Sequence, residues 1–360
     1  MRSQPDASNW AVNEFADAEL GDLRRTNRLV ELAHVLAQHP TAALPEACGD
    51  GARRKAAYRF CSHDDIKPQA FLDSHSESTS ARLAQVPLVL AVQETTEVDW
   101  TGHPATTGLG PLGHTACQGL HVPSTLALTP ERLPLGLVAQ HVWARDPDDL
   151  GQRQRRKPWP MHQKASQQWL TSLEAVCSAH DWCPQTRCVS MGDREAEVYD
   201  LLAAERPAGV DLLVRAAWNR GVDAPERSVW RTVEAQPMVE HLVWHVPRRG
   251  PQPAREATVR RRCGRVTLRP PQHRQAEGLP AVTRWAVQVR EVEPPTDVTP
   301  MEWLLLSTVE VHTAAAAIER VTWYACRWGS EVWHRIVKSG CRIAARQLGT
   351  GERVQRCVTR

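Results

Sequence analysis

The change of pattern at residue 86 constrains the fold of this chain more than any other feature. Before it, residues 9–84 read as helical, with Leu29, Val30, Leu32, Ala33 and Leu36 at helical spacing behind Asp22 as a cap. After it, Val86-Pro-Leu-Val-Leu-Ala-Val92 is a short apolar run ending at polar residues, as a buried strand would. Pro87 is tolerable only near the start of such a strand, which is where it falls. An α/β protein with a helical N-terminal module follows.

The first helix is expected to run from Asp22 to Gln38, a second over Ala52 to Phe60 and a third over Lys67 to Leu83, with glycine and proline punctuating Pro40 to Gly51. His121 to Leu128 and Leu135 to Trp143 read as further strands. A polar, proline-bearing loop spans Arg145 to Lys164. Ser166 to His180 reads as a helix, Arg187 to Met191 as a strand ending at Asp193, and Ala196 to Ala204 as a helix. Residues 210 to 300 alternate apolar and polar positions, and Leu242 to Val246, Thr258 to Leu268 and Val282 to Val292 look like antiparallel strands. Trp303 to Thr308 is read as the last strand of the core, and Thr313 to Ser339 as one long helix. After Gly340 the chain is short and basic, and Gly349-Thr-Gly351 is expected to break any helix.

With 42% hydrophobic and 24% charged residues the chain has the composition of an ordinary globular protein. Its longest apolar runs are too short to cross a bilayer, and Met-Arg-Ser-Gln-Pro-Asp has no signal-peptide core. A cytoplasmic location is the default expectation. The ten cysteines show no C-x-x-C pair, so free thiols are expected rather than a zinc site. Net charge is only +3, but nine arginines fall between Arg248 and Arg274 against the single acid Glu256. Arg153, Arg155, Arg156 and Lys157 form a second run. Such blocks meet phosphate backbones, or else form solvated loops.

Near the C-terminus, Tyr324, Arg327, Glu331 and Lys338 spell Y-x2-R-x3-E-x6-K. On one helix those offsets leave all four in a narrow stripe. A phenol, a guanidinium, a carboxylate and an ammonium suit a surface that holds a phosphate; a salt-bridged amphipathic helix would use the same residue types. Lys338 is one of only five lysines in a chain that otherwise uses arginine, which suggests that a point ammonium is wanted there.

The motif resembles the signature of the insertion-sequence-four group of transposases, the transposon-five-like DDE enzymes. Trp10 to Thr26, Leu44-Pro-Glu-Ala-Cys48 and Lys55-Ala-Ala-Tyr58-Arg59-Phe60 are similar to that group's DNA-binding segment. Val92-Gln93-Glu94-Thr95-Thr96 and Asp193-Arg194-Glu195-Ala196-Glu197 resemble its two aspartate motifs, and Trp303-Leu-Leu-Leu its strand before the final helix. The likeness spans about residues 9 to 348. It implies a helical DNA-binding domain over 1–84 and a ribonuclease-H-like core over 85–215 and 301–345. A β-rich insertion would fill 216–300, and 346–360 would be a truncated tail, since family members continue into a region that pairs two protomers. Double-stranded DNA, as transposon ends and target, would be the partner, with a homodimer in the synaptic complex.

The resemblance also implies roles. Glu94, Asp193 and Glu331 would be the catalytic acids and ligands of Mg2+, with Mn2+ as a substitute, because paired hard cations activate the nucleophile and stabilise the leaving oxygen. Tyr324, Arg327 and Lys338 would hold the terminal phosphate, and Trp303 would stack near a flipped base or simply pack. Arg194 and Glu195 would support Asp193 or cap the following helix. Arg24, Arg25, Arg28, Lys55 and Arg59 would contact the terminal inverted repeat. The implied reaction is cut-and-paste transposition through a hairpin. Glu94 stands where the family has aspartate, and its side chain reaches about 1.5 Å further. Asp99 is a candidate to compensate; a remnant that binds ends without cutting is the alternative.

Overall fold

A computed structural model describes residues 9–113, 116–149, 167–248 and 252–359. The basic run at 153–157 lies outside the described residues. Five helices come first: α1 (Trp10–Phe15), α2 (Leu23–Gln38), α3 (Leu44–Cys48), α4 (Gly51–Cys61) and α5 (Pro68–Leu83). The Asp22 side chain accepts the Arg24 N–H at 2.8 Å and starts α2, which buries Thr26, Leu29, Leu32 and Ala33 along one face. The stretch after Pro40, expected as turns, winds into α3 because Pro45 sits in the first helical turn, where its missing N–H costs nothing.

The rest is a ten-stranded mixed sheet with helices against it. In chain order it comprises β1 (Leu88–Asp99), β2 (Gly110–Pro111), β3 (Gln118–Leu128), β4 (Pro134–Gln140), α6 (Gln167–Trp182), β5 (Arg187–Gly192), α7 (Tyr199–Ala203) and β6 (Val210–Arg215). Then follow α8 (Val229–Glu234), β7 (Met238–Val246), β8 (Arg255–Leu268), β9 (Val282–Glu291) and β10 (Glu302–Ser307). β1, β5 and β6 are adjacent and parallel, and β3 is antiparallel on the other side of β1 with β4 beyond it.

The end of β1 departs from expectation. β1 runs seven residues past Val92, because antiparallel pairing with β3 continues to Asp99↔Gly119 after the parallel ladder with β5 stops at Val92↔Met191. Glu94 is therefore inside a strand, just beyond the end of the parallel ladder. β6 continues the parallel ladder beside β5, and β10 runs antiparallel between β6 and β9. β7, β8 and β9, within the span of the expected insertion, extend the same sheet beyond β10.

The expected long helix is broken into α9 (Ala314–Ala325), α10 (Trp328–Arg335) and a π-helical turn over Ile336–Gly340. At the break the amides of Arg327, Gly329 and Ser330 bond three residues back, to Tyr324, Cys326 and Arg327, which tightens the turn. Gly329 allows the close approach behind it, since a Cβ there would lie 2.7 Å from Leu128 Cδ1. The tail also departs from expectation: Thr350 caps a final helix, α11 (Gly351–Val358), instead of Gly349-Thr-Gly351 preventing one. Val354, Cys357 and Val358 pack into one apolar cluster with Phe15, Leu29, Phe60 and Phe71 of the N-terminal helices. The Arg356 guanidinium, 5% exposed, donates to the carbonyls of Ile66 and Cys61 at 2.9 Å each.

Candidate functional site

Two of the three candidate acids meet at a single arginine. Arg327 Nη1 donates to Glu94 Oε2 at 2.9 Å and its Nη2 to Glu331 Oε1 at 2.6 Å. The Ser330 hydroxyl donates to the same Glu94 oxygen. Glu331 lies one turn after Arg327 on α10, so that pair follows from helix geometry. The bond to Glu94 does not, as 233 positions separate the two residues.

Burial sets the electrostatics here. It pushes the Glu94 carboxyl above the usual carboxylate range, and the Arg327 guanidinium only partly offsets this. Burial also opposes the Arg327 charge, but the Glu94 and Glu331 carboxylates outweigh it and hold the guanidinium firmly protonated. Tyr324 is buried rather than presented on an exposed stripe. Its phenol is pushed up by burial, lies in the fields of Arg327, Arg215 and Asp193, and shares a hydrogen bond with Arg215. Trp303 meets Tyr324 edge to face at 5.0 Å between ring centres and Trp244 at 6.2 Å. Lys338 lies in the π turn, where the neighbouring acid that favours its charge is Glu97, against a burial effect that lowers it.

Asp193 directly follows β5 and opens a 3-10 turn over Arg194–Ala196, accepting the Glu195 N–H at 2.8 Å. Glu195 sits in the first turn; both it and Arg194 are exposed. Among the described residues, no three His, Cys, Asp or Glu side chains converge closely enough to hold a metal ion. As arranged, the donor set does not fit one: the cation between Glu94 and Glu331 is already a guanidinium. Asp99 does not stand in for Glu94. It lies five residues along β1, about 17 Å and on the opposite face, with its carboxylate accepting the Thr101 N–H at 2.7 Å.

The N-terminal cations divide into two groups. Arg24 binds Asp22, Arg25 donates to the Leu20 carbonyl at 3.0 Å and to Asp65 at 3.2 Å, and Arg28 pairs with Glu31. Lys55 and Arg59 are exposed one turn apart on α4 and make no ion pair among the described residues. Arg54, next to Lys55, is equally exposed and is not among the residues singled out from the sequence. Its signal was available: it precedes Lys55 in a helix that carries Arg53, Arg54, Lys55 and Arg59.

The arginine block behaves differently. Arg255 grips Glu291, Arg261 is fully buried and donates to the Ala314 carbonyl, and Arg262 donates to the Gln236 carbonyl. Arg269 pairs with Asp223, and Arg274 with Asp200 and Glu277. At least five of its nine members are therefore engaged by groups within the fold.

The sequence model of the transposase DNA-binding family matches residues 7–66. That span covers α1 through α4, including the exposed cations. It supports a DNA-binding transposase. No described helix is long and apolar enough to cross a membrane.

Proposed function

We propose that this chain is a transposase of the insertion-sequence-four type, binding transposon ends through its N-terminal helices and cutting and joining DNA at a ribonuclease-H-like core. The match over residues 7–66 is the premise. The observation that carries the rest is the reach of Arg327 to Glu94. Two motifs far apart in sequence, each resembling part of one active site, are in direct contact. The strand order adds support: an antiparallel pair flanks β1, which is followed across the sheet by two parallel strands, with Glu94 and Asp193 just beyond the parallel ladder.

In this reading Arg54, Lys55 and Arg59 meet the phosphates of the duplex end, where counterion release supplies most of the affinity. Arg327 then exchanges a carboxylate for a phosphate, which a guanidinium binds with the same two-pronged geometry. The buried Tyr324 lies in the field of this guanidinium and shares a hydrogen bond with Arg215. Strand cleavage, hairpin formation and transfer, and their dependence on Mg2+ or Mn2+, belong to this proposal. They require Arg327 to leave Glu94 and Glu331 first. Homodimerisation on paired ends belongs to it too.

A second reading, binding of ends without cutting, is favoured by one specific observation. Glu94 is committed to Arg327 and Ser330, and among the described residues no third carboxylate joins Glu94 and Glu331. A manganese-dependent nicking assay on a DNA end separates the two, comparing the protein with Glu94→Asp. Nicking by both establishes the enzyme. Nicking by the variant alone locates the defect at Glu94, and nicking by neither, with end binding intact, establishes the second reading.

A further inference from the structure

Glu197, the last residue of the Asp193-Arg-Glu-Ala-Glu197 motif, does not face the candidate acids. Its side chain is fully buried and is used to fix a loop. Oε2 accepts the backbone N–H groups of Ala217 and Trp218, the latter at 2.7 Å, and Oε1 accepts Arg220 Nε at 2.6 Å. Arg220 Nη2 returns to the Glu197 carbonyl at 2.6 Å. The loop is pinned at its two ends as well, by Ala216 N–H to the Leu304 carbonyl and Val229 N–H to the Arg220 carbonyl. A buried carboxylate is costly unless every lone pair finds a donor. Here the donors are two successive amides and one guanidinium, which leaves this stretch of backbone little freedom.

What this scaffold holds outward is Trp218. Its side chain is 60% exposed, and it makes no ring contact with another aromatic among the described residues. A large apolar ring on a mobile loop could turn inward; on a pinned loop it stays presented. The place is significant. Gly192 pairs with Val214 in the parallel ladder, so Asp193 and Arg215 emerge side by side, and Trp218 follows Arg215 by three residues, at most about 11 Å of chain. Arg215 in turn lies in the fields of Arg194 and Arg327. An open aromatic face three residues along the chain from Arg215 is complementary to a nucleotide that has left its duplex, with its base on the ring and its phosphate on the guanidinium groups of the site. Trp303, the aromatic implied by resemblance, is engaged edge-on by Tyr324 and Trp244, whereas Trp218 has its face open.

We infer that Trp218, held out by the Glu197 clamp, is a stacking platform for an unpaired base of the DNA strand at the candidate site. This rests on the reading of the protein as one that acts on DNA ends. It adds a binding residue outside the motifs of the core.

Affinity is measured for a short blunt duplex and for the same duplex ending in unpaired thymidines, one replaced by 2-aminopurine, at low salt. Trp218→Ala is expected to lose about tenfold in affinity for the unpaired end and to restore 2-aminopurine fluorescence, with duplex affinity unchanged within about twofold. Trp218→Phe should retain most of the binding. Trp182→Ala, which removes another highly exposed tryptophan, from the end of α6, should match the parent on both probes. Should Trp218→Ala match the parent on the unpaired end, or weaken both probes equally, the platform is refuted while DNA binding stands. Should the parent fail to bind either probe, the functional reading falls and the platform with it.

Discussion

Two regions of this protein are rich in arginine, and they use it in opposite ways. On α4, Arg54, Lys55 and Arg59 point into solvent without acidic partners among the described residues. In the β8 region, Arg255, Arg261, Arg262, Arg269 and Arg274 are tied to carboxylates and backbone carbonyls of neighbouring elements. Composition makes the second region look like the stronger DNA surface. Geometry engages five of its nine arginines within the fold, whereas Arg54, Lys55 and Arg59 on α4 have no acidic partner among the described residues. Where a surface meets a duplex, unpaired cations count for more than cations that the fold has already neutralised.

The sharpest way to break this contrast is to remove Arg255. Glu291, whose side chain is 2% exposed, would keep its charge inside the protein without its main partner. Arg255→Met should cost about 3–5 kcal/mol in urea or thermal unfolding, with DNA affinity of the folded protein unchanged. Loss of affinity with intact stability would reverse the assignment of the two regions.

On the other side, the triple change Arg54→Ala, Lys55→Ala, Arg59→Ala should weaken end binding roughly a hundredfold. It should also lower the slope of log affinity against log salt by about 3, at roughly 0.9 per phosphate contact. An unchanged slope would show that α4 does not touch the backbone.

Buried ionisable groups should also respond to pH where exposed ones do not. Burial, with Lys338 adding to it, pushes the His334 imidazole down to about 4, and its Nε2 finds no hydrogen-bond partner among the described residues. The unfolded chain takes up this proton near pH 6.5 and the folded chain only near 4, so stability falls as pH is lowered through that window. Between pH 8 and pH 5 the loss is about 2 kcal/mol. In His334→Leu the acid limb of stability against pH should flatten by that amount. A curve of unchanged shape would mean that His334 is open to water.

The smallest effect concerns the start of the DNA-binding helices. Asp22→Ala removes the cap of α2 and should lower the thermal unfolding midpoint slightly. Arg24→Ala, at the solvent end of the same pair, with a side chain 91% exposed, should shift that midpoint by less still.

The cap at Asp22 was legible because it is local: the residue, its acceptor oxygen and the amide it binds lie within three positions. The parallel strand at Arg187–Gly192 and its exit at Asp193 were legible for a similar reason, an apolar run that stops at a charged residue. β6 was harder to place. Its apolar residues continue into the strand-rich region that follows, and only its partner β5 identifies it as central. The break after Ala325 has no proline to announce it, and it depends on Gly329 passing close to Leu128, a contact from the far side of the chain. The site itself was half legible. Arg327 and Glu331 are one helical turn apart, but their meeting with Glu94 is a property of the fold. The likeness to a known motif named Glu94 without revealing that a guanidinium would hold it.

The guanidinium of Arg356 reaches the carbonyl of Ile66 across 290 positions. During synthesis the N-terminal helices therefore leave the ribosome long before the segment that completes their apolar cluster is made. Until residue 358 has emerged, that cluster is missing Val354, Cys357 and Val358, and the module must wait partly open or shielded. Its maturation is then timed by translation of the distant segment rather than by its own sequence, and long-range closure of this kind makes folding slow.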